Sequence, residues 1–123
     1  MSHSFVWVDI PVMDLDRAMT FYSAVLGSSV NKAGGPGFVF GLLPHTDNDV
    51  GGCLYTPTED NAPSKLGPLV YLNAEGRLSQ AVDAVAAHGG QVLQAVHQIG
   101  PHGYRAIVVD SEGNRVALHA PTA

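Results

Sequence analysis

Apolar and polar positions follow two similar programmes along the chain. Phe5-Val6-Trp7-Val8-Asp9-Ile10-Pro11 is dense in β-forming side chains and stops at a proline, which predicts a strand. From Asp14 to Gly27 the period changes: Leu15, Ala18, Met19, Tyr22 and Leu26 recur at helical spacing. Asp14 suits the N-cap and Gly27 the position after the last turn, so both ends of an amphipathic helix are marked. Three short β segments are expected next, at Ser29–Lys32, Phe38–Leu43 and Val50–Tyr55. They are separated by Gly34-Gly35-Pro36-Gly37 and by Pro44-His45-Thr46-Asp47-Asn48-Asp49, both rich in turn formers.

The second half repeats that order. Leu69–Leu72 reads as a strand and Leu78–His88 as a helix with Leu78, Ala81, Val82 and Val85 inward, stopped by Gly89-Gly90. Strands are expected at Gln91–His97, Tyr104–Val109 and Arg115–His119, with Ser111-Glu112-Gly113-Asn114 as a tight turn. Laying Gly27 on Gly89 brings Val8 onto Val70, Ile10 onto Leu72 and Val30 onto Val92. The chain is thus a βαβββ unit used twice, with a period of roughly 60 residues. The expected organisation is a single α+β domain over 1–123. Module 1 runs over about 4–56, a surface linker over about 57–67 and module 2 over about 68–120. Each module has a sheet with one face under its helix. The bare faces are expected to curl into a curved mixed sheet around a cleft, within one chain or across a dimer.

Composition narrows the function. The 123 residues are 46% hydrophobic but only 14% charged, against about 25% for average soluble proteins. Thin polar cover points to a homodimer. Six Lys and Arg are scattered against eleven Asp and Glu, a net charge of −5, so no basic patch exists to follow a nucleic acid backbone. No apolar run reaches the roughly 18–20 residues of a membrane helix, and the start lacks the pattern of a signal peptide. The single cysteine, Cys53, has no intrachain partner. A cytoplasmic protein follows, with no membrane or nucleic acid partner.

The order Trp7-x-Asp9-Ile10-Pro11-Val12-x-Asp14-Leu15-x-Arg17-Ala18-x-x-Phe21-Tyr22-x-x-Val25-Leu26-Gly27, the turn Asp110–Asn114 and the duplicated unit resemble the vicinal oxygen chelate superfamily. That superfamily includes glyoxalase I, bleomycin-resistance proteins and extradiol dioxygenases. Further segments, among them Val50–Leu54 and Ile99–Tyr104, resemble a bacterial glyoxalase-like subgroup. The resemblance implies paired βαβββ modules around a cleft. In glyoxalase I it also implies a metal held by His or Glu on the first, fourth, fifth and eighth strands. The matching positions here are Trp7, Gly52 or Cys53, Val70 and Ala117. Indole and aliphatic groups do not ligate a divalent cation, so neither a metal nor another cofactor is expected.

The candidate chemistry is therefore that of a cleft. Trp7 serves either as an aromatic wall for a small organic ligand or as a plug filling a vacant site. Alternation puts Asp9 on the face of Trp7 and His119 on the face of Ala117. Phe40, Val70, Leu72, Tyr104, Arg115 and Ala117 are the remaining expected ligand contacts, Arg115 because it alternates with Ala117. Arg105 has no such argument and is expected at the surface, as are His3, His45, His88 and His97; His102, beside Gly103-Tyr104, is expected either there or at the cavity mouth. Cys53 has no base beside it in sequence and is expected to be a buried structural thiol. The expectation is a small-molecule-binding protein whose cleft lacks the usual metal ligands. The rival is a lyase, isomerase or dioxygenase acting on a small carbonyl or aromatic compound. It would use Asp9 and His119 as acid and base, or a non-standard metal site recruiting His102 or Glu59.

Overall fold

A computed structural model describes residues 4–123, so His3 lies outside the described residues. The element order is β1 (Trp7–Pro11), α1 (Leu15–Leu26), β2 (Asn31–Gly35), β3 (Phe38–Leu42), β4 (Gly51–Tyr55), β5 (Val70–Asn73), α2 (Leu78–Ala87), β6 (Gln91–Gln98), β7 (Tyr104–Val109) and β8 (Arg115–Ala120). It is the expected βαβββ order, twice. Two mixed four-stranded sheets result, β1-β4-β3-β2 and β5-β8-β7-β6. In each, the first strand runs parallel to the fourth and every other pair is antiparallel.

Local chemistry explains the boundaries. Asp14 caps α1 by accepting from the backbone N–H of Arg17 at 3.0 Å. Gly27 closes the helix in the left-handed region at φ 69°. Ala18, Phe21, Tyr22 and Val25 face the core, and α2 buries Leu78, Ala81 and Val85 against it. The first hairpin departs from expectation. β2 continues through Gly34 and Gly35, which pair with Val39 and Phe38, so only Pro36 and Gly37 make the turn. Gly37 takes φ 90°, a conformation open to a residue without a Cβ.

The modules are joined by their helices and by the turn between β7 and β8. Tyr22, completely buried, donates its hydroxyl to Asp110 Oδ2 at 2.6 Å. Asn114 donates to the Pro11 carbonyl at 2.7 Å, and Glu112 accepts from the backbone N–H groups of Met13 and Asp14 at 2.9 Å each. The linker is more than a spacer. Ser64 donates its N–H to Asn114 Oδ1 at 3.1 Å and accepts from Arg115 N–H at 3.3 Å. These contacts fasten the end of β1 to the second module and leave β1 and β5 as unpaired sheet edges.

Candidate functional site

The edge strands β1 and β5 flank a partly open cavity of about 470 Å³. Val8, Ile10 and Leu43 wall it from the first module, and Val70, Tyr71 and Leu72 from the second. His45, Asp49 and Asn73 supply its polar groups. Because the cavity wraps two edges, it is lined by residues of both strand faces. Val70 and Leu72 thus reach a cavity, but not on the expected face. The register pairs Val70 with Val116 and Tyr71 with Ala117, so Val70 and Ala117 point to opposite sides of their sheet.

The bare face of the first sheet carries Trp7 and Asp9 together, as alternation requires. Trp7, 44% exposed, donates its indole N–H to Asp9 Oδ1 at 2.7 Å and meets His45 edge-on, with ring centres 6.3 Å apart. The Cys53 thiol points to the same carboxylate oxygen at 3.2 Å. Burial pushes the Cys53 thiol up to about 11, helped by the hydrogen bond to Asp9 and by its charge. Gly51 sits opposite Trp7 because a Cβ there would lie 2.9 Å from the indole. Phe40 stacks on Phe38 with rings 6.2 Å apart and nearly parallel; it lines the face but not the cavity.

The bare face of the second sheet is polar. His97, Arg105 and His119 pair in one row across β6, β7 and β8, and Asn73 of β5 continues it. Register shifts in β6 on either side of Gln94 bring His97 opposite Arg105. His119 lies against the Tyr71 ring, centres 6.1 Å apart, and its Nε2 is 2.7 Å from the His102 carbonyl. A carbonyl only accepts, so Nε2 carries the proton. The short helical turn Gly100–His102 and Gly103, at φ 96°, hold that carbonyl in place.

Several expected contacts fall elsewhere. Tyr104 packs against the core, because it shares its face with Ala106 and Val108 under the helices. Ala117 is on the bare face but wholly buried between Tyr71 and Ile107. Arg115 reaches back to the Gly67 carbonyl at 3.4 Å, held by the linker. Asp9 and His119 belong to different sheets and no hydrogen bond or ion pair joins them. Asp9 is engaged by Trp7 and Cys53, His119 by the His102 carbonyl. The structure does not assemble the expected acid–base pair.

A family model described as Glyoxalase/Bleomycin resistance protein/Dioxygenase superfamily matches residues 4–118. The chain belongs to this superfamily. A protein of Mycobacterium bovis named "Putative glyoxylase CFP32" is 28% identical over 116 residues, 91% of this chain and 43% of its own length. The chain therefore spans less than half of the curated relatives it matches. A glyoxalase/bleomycin resistance protein from Albidiferax ferrireducens T118 has the same fold, with a TM-score of 0.75 at 20% identity over 96% of this chain and 98% of the other. A glyoxalase I variant from Zea mays superposes with a TM-score of 0.72 at 23% identity, covering 94% of this chain and 45% of that one.

Glyoxalase I within the superfamily implies a divalent metal, and the residues here do not fit one. Beside Trp7 the bare-face positions of β4 are Gly51 and Cys53, and β8 offers Ala117. Of the positions matching the metal ligands only Cys53 has a donor atom, and its environment favours the protonated thiol over the thiolate a metal needs. Among the described residues no three His, Cys, Asp or Glu side chains gather closely enough to hold an ion. Glu59 is exposed in the linker. Sequence reasoning missed Tyr71 and Arg105, which alternation from His119 and its cross-strand partner would have found once the register was known.

Proposed function

We propose that this protein binds a small organic molecule in the cavity between β1 and β5, without the metal of glyoxalase I. One observation carries the reading: a 470 Å³ cavity bounded by both modules, lined by Val8, Ile10, Leu43, Val70 and Leu72 together with the polar His45, Asp49 and Asn73. That volume and lining suit a compact organic ligand. Superfamily membership supports the reading, since its description names resistance proteins beside the enzymes. Trp7 does not line this cavity, though it contacts two residues that do, His45 and Gly51.

The proposal extends to a cytoplasmic homodimer. Phe38, 62% exposed, lies with Trp7 and Tyr71 among large apolar side chains left bare on a chain with few charges. A second copy laid on the bare faces would cover them. No helix among the described residues is long and apolar enough to cross a membrane.

A fragment set screened by protein-observed NMR tests the cavity. Bound fragments are expected to shift the amides of Val8, Leu43 and Val70, and to be lost in Leu72→Trp, which fills the space. Fragments that cluster elsewhere, or bind that variant equally well, contradict the reading.

A further inference from the structure

Beyond Tyr71 lies a second concavity, about 480 Å³, on the bare face of the second sheet. Tyr71, Ile99, His102, Arg105 and His119 line it, and only Tyr71 is shared with the cavity between the edges. We propose that this pocket binds the carboxylate of a small organic acid. Arg105 takes the carboxylate, and Ile99 and the Tyr71 ring take the apolar body.

The argument starts from charge. The chain carries −5 overall, yet this pocket has one guanidinium and two imidazoles and no carboxylate in its lining. The ion pairs among the described residues are Arg17–Glu112 and Lys32–Asp16; neither includes Arg105. A half-buried arginine with no anion of its own is a cation awaiting one.

Geometry fixes which of its hydrogens remain. His97 donates Nδ1–H to the Ala95 carbonyl at 2.9 Å, so its Nε2 is an acceptor, and it takes the Arg105 Nε–H at 3.1 Å. One Nη1–H goes to the Tyr71 hydroxyl oxygen, and the guanidinium carbon lies 5.9 Å from the Tyr71 ring centre. The guanidinium is thus held at two corners, which lowers the entropy lost on binding. The other Nη1–H and both Nη2–H groups are left for a bidentate carboxylate. Tyr71 accepts from Arg105, so its own O–H is free to donate to the same anion. Ile99 and the Tyr71 ring give the apolar side that separates an organic acid from an inorganic ion.

This site does not rest on the reading of the cavity between the edges, and its test is separate. The protein is titrated with sodium benzoate at constant ionic strength, and with benzamide as a neutral twin of the same shape, following amide and arginine Nε–H signals. Benzoate is expected to shift Arg105 Nε–H, Tyr71 and His119 saturably, with benzamide weaker by about tenfold or more. Arg105→Gln is expected to remove benzoate binding while its other signals stay native. Equal binding of benzamide, wild-type benzoate affinity in Arg105→Gln, or shifts confined to Val8, Leu43 and Val70 overturn the proposal. So does the absence of any saturable benzoate shift. Should Arg105→Gln fail to fold, the benzoate and benzamide pair on the unaltered protein decides alone.

Discussion

Glu112, in the turn between β7 and β8, grips Arg17 of α1 with an Oε2 to Nε distance of 2.8 Å, and a second bond joins Oε1 to Nη2 at 2.9 Å. The two residues are on different modules, and the glutamate side chain has no exposed surface. It also occupies the N-terminus of α1, where two backbone N–H groups and the helix dipole favour an anion. The acidic turn that marks the family in sequence is here a clasp between the modules.

That clasp is sensitive to acid. Burial alone would raise the Glu112 carboxyl. Hydrogen bonds from Arg17, from Asp14 N–H, from Ser111 and from Met13 N–H more than offset it, lowering the group from 4.5 to about 2. A carboxylate lowered in the folded state stabilises fully above its unfolded value. The contribution declines as pH falls below about 4.5 and is gone below about 2. Urea midpoints measured between pH 6 and 2 are expected to drop across that window. Glu112→Gln should flatten the drop and lower stability by roughly 2 kcal/mol at neutral pH. An unchanged midpoint would show the clasp to be dispensable.

The buried Tyr22–Asp110 bond predicts a different outcome. Tyr22→Phe keeps the ring that meets Phe21 edge-on, centres 5.0 Å apart, but takes one donor from Asp110. Asp110 keeps the N–H groups of Glu112 and Asn114 and the Asn114 amide. The expected cost is about 1–2 kcal/mol in urea unfolding, with no change in slope. A loss several times larger would mean that the hydroxyl, not the ring, holds the modules together.

Cys53 should be inert. With its thiol pushed up to about 11 by burial and by Asp9, almost none is thiolate at neutral pH. Ellman's reagent at pH 7.5 is expected to label it slowly in the native protein and fast in urea. Asp9→Asn removes the charge that opposes ionisation and should quicken native labelling. Fast labelling of the unaltered protein would contradict the described environment.

Gly103 predicts a backbone effect. Its φ of 96° disfavours any side chain, and a Cβ there would meet the Ala120 carbonyl oxygen at 2.6 Å and His119 Nε2 at 3.1 Å. Gly103→Ala should cost about 1–3 kcal/mol in thermal or urea unfolding and shift the His119 ring signals. Unchanged His119 signals would show that this turn does not position the imidazole.

Much of this architecture was written openly in the sequence. Asp14 and Gly27 mark the two ends of α1, and the apolar period between them names its buried face. Trp7 and Asp9 fall on one face because Val8 and Ile10, apolar and core-facing, alternate with them. At β5 the same logic fails. Val70-Tyr71-Leu72 is apolar on both sides, so alternation offers no contrast, and the strand is read one residue out of phase. Arg105 is obscured for another reason. Its partners His97, Tyr71 and His119 come from three other strands, one of them irregular, and only the sheet register brings them together.

Native mass spectrometry of the purified protein, before and after exposure to nickel, zinc and manganese, most directly tests a cavity that works without a metal. A small organic molecule retained at one per chain, with no stoichiometric metal after exposure, is the result predicted. One tightly held metal ion per chain, required for that molecule to stay bound, would contradict it.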